Sequence, residues 1–174
     1  MNDKQILERL ESDGFYFGNC EIKNHLKKRL YNLPFRSFKS KKYSSLQYEL
    51  DSKHIYFHWV RNAICNELPV GFKKMLQAVD SVGLHIMKKG DYYPLHTDSI
   101  EPCYAQLLLW ITKDDYYDGR EFIYGKDGDL KKFKPKTGDF CIANNINPNF
   151  IHGVSELKSD TEIITFTYQL LPRG

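Results

Sequence analysis

No apolar run in this 174-residue chain approaches the ~20 residues that a helix needs to cross a bilayer. The opening MNDKQILERLESDG is charged and helix-like, and it lacks the apolar core of a secretory signal. Cysteine is scarce and scattered. Cys20, Cys65, Cys103 and Cys141 form no CxxC pair, which argues against a zinc ribbon, a redox motif and a disulfide framework. They read as small core residues in a reducing, cytoplasmic setting. Neither sign of charge dominates: 25 basic against 22 acidic residues leave +3, thin support for a nucleic-acid partner. There is no internal repeat and no low-complexity linker. At this length the chain is expected to be one domain, residues 1–174, with a sizeable core.

Hydrophobic residues make up 41% and aromatics 14%, enough for a globular core. Residues 1–81 read as mostly helical. Ile6, Leu7 and Leu10 recur at helical spacing, as do Ile22, Leu26, Leu30 and Leu33, with Pro34 ending that segment. A third helix is expected from Pro69, with Val70, Met75, Leu76 and Val79 to one side. Residues 35–68 are ambiguous: HIYFHWV fits a strand or the start of a helix. From residue 82 the pattern changes. GLHIM, YAQLLLWIT, EFIYG, DFCIAN and EIITFTYQLL read as strands, and GDYY, DDYYDG, GKDGD, KPKTGD and NINPN as turns between them. Short strands at this spacing predict an antiparallel sandwich or jelly roll. The expected fold is α+β, mainly β, with helices first and a β core over 82–174.

In the stretch PLHTDS, His96 and Asp98 are two apart, so in an extended segment both side chains leave the same face. An imidazole and a carboxylate there can share an ion, and a third ligand must come from elsewhere. His25 reads as solvent-exposed on a basic helix, and His85 as a packed or hydrogen-bonded core residue. His54 and His58 have a chelating i, i+4 spacing but no neighbouring acid. His152 lies late in the β core, where a jelly roll can bring it beside His96. Two histidines and a carboxylate on one side of an ion, with open positions opposite, suit oxygen-activating iron(II).

From about Gly83 to Leu171 the chain resembles the iron(II)- and 2-oxoglutarate-dependent dioxygenases, in particular their prolyl-hydroxylase-like branch. The resemblance rests on Gly90-x-x-Tyr93-x-x-His96-x-Asp98, on LLLWIT with its acidic turn, on GREF at 119–122, on Pro135-x-x-Gly138-Asp139 and on His152-x-Val154. It implies a double-stranded β-helix (jelly roll) braced by the N-terminal helices, with iron(II) held by His96, Asp98 and His152. It also implies hydroxylation of a C–H bond with O2 and 2-oxoglutarate, and no catalytic protein acid or base beyond the metal ligands. Asp98 occupies the position where halogenating relatives have a small residue, so hydroxylation is the expected outcome. The branch acts on a peptide side chain such as proline, or on a free amino acid.

The chain departs from the family at the co-substrate. The basic residue that grips the distal carboxylate falls nine or ten positions after the distal histidine, and here those positions are Thr161 and Glu162. Family tyrosines are replaced by Met87 and Trp110. A buried dicarboxylate needs a cationic or multiply hydrogen-bonded partner. Arg120, Lys88, Lys158 and Arg173 are the basic candidates, and Thr161, Thr165 and Thr167 share a strand face. The expectation is that Arg120 and Thr161 bind 2-oxoglutarate, with 2-oxoglutarate itself open to question. Tyr93 and Trp110 are the expected substrate contacts, with Tyr92, Tyr116, Tyr117 and Tyr124 as further aromatic candidates. Two other readings stand beside this one: a nucleic-acid demethylase of the same superfamily, and a degenerate barrel acting as a binding or sensor module.

Overall fold

The computed structural model describes residues 2–39, 44–98 and 104–171. Cys103 and Arg173 lie outside them. The chain runs α1 (Asp3–Ser12), β1 (Phe15–Asn19), α2 (Asn24–Leu30), β2 (Arg36–Lys39), β3 (Ser44–Asp51), α3 (Ile55–Glu67) and α4 (Val70–Gln77). It continues with β4 (Ser81–Met87), β5 (Tyr93–His96), β6 (Ala105–Thr112), β7 (Phe122–Lys126) and β8 (Asp129–Phe133). The last three strands are β9 (Asp139–Asn144), β10 (Phe150–Val154) and β11 (Ile163–Leu170).

The strands form two antiparallel sheets, β1-β9-β6-β11-β4-β3-β2 and β5-β10-β7-β8. This is the expected mainly-β jelly roll. Each face of the larger sheet has its own job, set by the two-residue alternation of its strands. One face carries Ile164, Phe166, Tyr168 and Leu170 of β11 with Leu107, Leu109 and Ile111 of β6, all fully buried against the helices. Fully burying a large apolar side chain stabilises by about 1.5–3 kcal/mol, so this helix-covered face is the main store of stability. The opposite face carries Thr165, Thr167 and Gln169 with Gln106, Leu108 and Trp110, and it looks into the space between the sheets.

The helices read from the sequence are present. α1 is closed by a reciprocal capping box between Asn2 and Gln5. The Asp3 carboxylate accepts from the backbone N–H groups of Gly71 and Phe72 at the start of α4, which ties the two helices together. Three strands also form within residues 1–81, where mostly helical support was expected. In β3, Leu46, Tyr48 and Leu50 pack on the core face while Gln47 and Glu49 turn to the other, a period-two pattern that extends the larger sheet. β1 pairs with β9, with Phe15 opposite Ala143. HIYFHWV resolves as helix: His54 caps α3 by accepting from the Tyr56 N–H, and Phe57, Val60 and Ile64 are buried. β8 was missed because DLKKF is charged, and its first four residues are exposed.

Candidate metal centre and co-substrate pocket

β5 and β10 run side by side in the smaller sheet, and their register sets His152 directly opposite His96. Asp98 follows two residues after His96. The Asp98 carboxylate stands between the rings, Oδ1 at 3.3 Å from His96 Nε2 and Oδ2 at 3.3 Å from His152 Nε2. One ligand atom from each residue falls within 4.8 Å of the other two. Donors bound side by side on a first-row cation at ~2.1 Å stand ~3 Å apart, so the spacing fits such an ion. The ring chemistry fits as well. His96 Nδ1 lies 2.8 Å from the Pro94 carbonyl, so Nδ1 carries a proton and Nε2 is the nitrogen turned toward Asp98. The His152 ring is wedged against Phe122 and Phe15, with centroids at 5.7 and 6.3 Å. Burial alone would raise the Asp98 pKa, but hydrogen bonds and charge from His152 and His96 hold it well below the usual carboxylate range. The side chains are 9% exposed at His152, 17% at Asp98 and 34% at His96, so the centre opens on the His96 side.

The triad lines a cavity of about 720 Å³ between the sheets, within the usual size of small-molecule sites. Trp110, Leu108 and Phe122 supply apolar wall, and Arg120 is also part of the lining. Arg120 is 1% exposed and is the one non-glycine residue among those described with positive φ, at 58°. Gly119 before it has φ 75°. Arg120 Nη2 donates to Thr165 Oγ1 at 2.6 Å, while Nε and Nη1 are buried without a hydrogen-bond partner. Among the described residues no carboxylate pairs with it. Burial pulls its pKa down to about 10, against the opposing influence of Tyr117, Tyr93 and Tyr31, so it stays cationic at neutral pH. Arg120 is thus a buried cation beside the cavity with hydrogen-bonding capacity left unused.

The other basic candidates are placed elsewhere. Lys88 pairs with Glu162 at 3.3 Å, and Glu162 also meets Lys113 at 2.9 Å. Lys158 does not line the cavity. Thr161, expected like Arg120 to bind 2-oxoglutarate, precedes β11, does not line the cavity, and donates its hydroxyl to Asp114. Thr165, four residues on and inside the strand, is the threonine that meets Arg120. Tyr93 and Trp110 both line the cavity. The Tyr93 hydroxyl is 3.4 Å from His85 Nδ1, and Trp110 packs on Phe122 at 5.2 Å between centroids. Tyr92 and Tyr116 are exposed, Tyr117 donates to the Pro135 carbonyl, and Tyr124 stacks on Phe122 in the core.

Gln106 and His85 also line the cavity and were not read as site residues. The alternation in YAQLLLWIT carries the signal for Gln106, which shares a face with Leu108 and Trp110. The remaining histidines are structural: His58 Nε2 donates to the Ser52 carbonyl at 2.7 Å, and the His25 ring packs edge-on to Trp59.

No family model and no curated protein matches the sequence. Solved structures do match. A Pseudomonas putida prolyl-4-hydroxylase superposes with TM-score 0.70 at 12% identity, covering 98% of each chain. A prolyl hydroxylase from Trichoplax adhaerens, solved with a hypoxia inducible factor peptide fragment, gives 0.71 at 10% identity, covering 95% of this chain and 88% of that one. The chain has the prolyl-hydroxylase-like 2-oxoglutarate/iron(II) oxygenase fold. The same oxygenase fold is found in a non-heme alpha ketoglutarate dependent carbocyclase from nogalamycin biosynthesis, with TM-score 0.64 at 11% identity, covering 96% of this chain and 83% of that one. The fold therefore hosts more than one reaction, and the reaction has to be argued from the site. No helix among the described residues is long and apolar enough to cross a membrane.

Proposed function

We propose that the chain is a non-haem iron(II) oxygenase that uses O2 and 2-oxoglutarate to hydroxylate a C–H bond of a peptidyl or free amino acid, proline-like in shape. The observation that carries this reading is the pairing, in one cavity, of a His-Asp-His centre with the buried, unsatisfied Arg120 guanidinium. A metal site alone fits many reactions. A metal site with a separate, dry carboxylate grip in the same chamber fits a keto-acid co-substrate.

When bound, iron(II) and 2-oxoglutarate supply the oxidising chemistry: O2 is consumed, C–H becomes C–OH, and succinate and CO2 leave. The protein's residues bind and orient. His96, Asp98 and His152 would hold the metal, with the Nδ1–H of His96 anchored on the Pro94 carbonyl. Arg120 would take the distal carboxylate through Nη1 and the second N–H of Nη2, with Thr165 fixing the guanidinium plane through the first. Trp110, Leu108 and Phe122 keep water from the chamber. No side-chain acid or base is required. The buried free thiols of Cys20, Cys65 and Cys141 support a reducing, cytoplasmic setting.

Anaerobic titration of iron(II)-loaded protein with 2-oxoglutarate tests the reading. A saturable visible charge-transfer band is expected, and it should vanish in His96→Ala and Asp98→Ala proteins that keep their far-UV circular dichroism. Iron-loaded wild type that shows no band sinks the proposal and favours the degenerate-barrel reading.

A further inference from the structure

The larger sheet lines the cavity with three rows of side chains, two residues apart along β6 and β11. The first row holds Trp110 and Thr165, the second Leu108 and Thr167, the third Gln106 and Gln169. Arg120 belongs to the first row through its hydrogen bond to Thr165. The metal centre stands beside the third. There β9 and β1 extend the row from Gln106 to Ala143 and Phe15, and the Phe15 ring lies 6.3 Å from the His152 ring between centroids. At ~3.4 Å per residue the first and third rows are ~14 Å apart. A keto acid gripped by Arg120 would reach from the first row toward the metal. The third row is left for the other reactant.

Gln106 stands out in this wall. β6 is buried along its whole length, and Gln106 is 6% exposed. Among the described residues nothing hydrogen-bonds its carboxamide. A buried amide without partners opposes folding, and one that lines a cavity is completed by what the cavity holds. Across the strands it is flanked by Gln169, exposed at the mouth, and by Ala143, whose side chain is a single methyl. The row carries no charge. Besides the histidines, the charged side chains among the described lining residues are Asp98, in the metal centre, and Arg120, two rows away. A substrate carboxylate beside Gln106 therefore meets no cationic side chain. A neutral amide there meets both a donor and an acceptor.

We propose that Gln106, with Gln169 beside it, is the specificity-determining residue of this cavity: its carboxamide donates to and accepts from a neutral amide group next to the C–H bond that reacts. The proposal rests on the oxygenase reading and adds to it the chemical group by which the substrate is chosen. A compound with a free carboxylate at that place is disfavoured, because it would bury a charge against a neutral amide. A site built to hydrogen-bond one polar group discriminates strongly against an analogue that leaves its own polar atoms unpaired. The amide can belong to a backbone or to a side-chain carboxamide. Both offer Gln106 the same donor and acceptor, and the experiment separates them.

The test measures binding of two matched probe pairs to the full chain loaded with Mn(II) and 2-oxoglutarate. One pair is N-acetyl-L-prolinamide and N-acetyl-L-proline, the other L-asparagine and L-aspartate. Mn(II) broadens the proton NMR lines of a probe held close to it, so the titration reports affinity and place together. In at least one pair the amide is expected to bind roughly tenfold more tightly than the acid, the worth of two neutral hydrogen bonds. An advantage in the proline pair assigns the amide to a backbone, and one in the asparagine pair to a side chain. Gln106→Leu should remove the advantage by weakening the amide roughly tenfold and leaving the acid unchanged. It should fold, because leucine suits a buried wall, and its 2-oxoglutarate affinity should match wild type, because Arg120 is two rows away. Gln106→Met keeps the unbranched shape and should give the same result. No amide advantage in either pair, an advantage that survives both substitutions, or equal losses for amide and acid overturns the proposal. Failure of the oxygenase reading shows separately, as absent 2-oxoglutarate binding in the anaerobic titration.

Discussion

Arg120 holds a left-handed backbone conformation that glycine adopts freely and that costs other residues roughly 1–2 kcal/mol. It also buries a cation with two donors unused. Both features oppose folding, and residues kept in such states cluster at ligand sites. Arg120→Gly removes the strain and the buried charge together, and it widens a space that is already open. The metal-free variant is therefore expected to melt no lower than wild type. Its 2-oxoglutarate affinity with Mn(II) present should fall on the order of a hundredfold, the effect of truncating one partner of a buried charge pair by ~3 kcal/mol. Calorimetric titration and a melting curve on the same preparation check both halves. A variant that melts lower and binds the keto acid normally would make Arg120 a packing residue.

His85 joins three elements: it sits on β4, meets Gln47 of β3, and meets Tyr93 of β5. Burial lowers its pKa. The unfolded chain thus takes up the proton first as pH falls, so the neutral ring contributes stability that is complete above the ordinary histidine pKa of ~6.5 and is lost as pH falls toward the folded value. Melting temperature should drop between pH 7.5 and 5.5, and the drop should be smaller in His85→Gln. Equal drops would place the pH dependence elsewhere. Element by element, what the sequence disclosed follows from period. The buried strands β6, β9 and β11 and the pairing of His96 with Asp98 were legible because alternation or apolar runs marked them. β3 has the same alternation, but it lay in a stretch whose type the pattern left open, and β8 is too exposed to carry a hydrophobic signal. Arg120 was legible as a candidate from the missing basic residue at 161 and 162. Thr161 was named as a second co-substrate contact, and spacing from His152 cannot show that its hydroxyl turns to Asp114 before β11 begins. His85 was read as a packed or hydrogen-bonded residue, and its ring does meet Gln47 and Tyr93; that it also lines the cavity depends on how the two sheets are apposed, a long-range fact with no local trace.

At the scale of the whole molecule, the helix-covered face carries the stability and the opposite face lines the candidate site, so ligands can report on the site through the melting of the entire domain. Each of the two sheets supplies part of the chamber. Thr165 and Trp110 come from the larger sheet, His96 and His152 from the smaller, and Arg120 from the connection leading into β7. A ligand that bridges metal and arginine binds only when the sheets are apposed, so it stabilises the folded state by mass action. At a hundred times its dissociation constant that is about 2.7 kcal/mol. For a chain of this size the expected rise is roughly 5–10 °C. Mn(II) and 2-oxoglutarate together should give this rise, and 2-oxoglutarate alone should give little, because Arg120 then grips one end of a ligand whose other end has no partner. Succinate, which has the carboxylate but no keto group to complete the chelate, should give less than 2-oxoglutarate when Mn(II) is present. Thermal melts across these combinations have three distinguishable outcomes. Cooperation between metal and keto acid supports the oxygenase. A rise with metal alone that no keto acid extends fits a metalloprotein with another co-substrate. No rise with any combination fits a barrel whose chemistry has been lost.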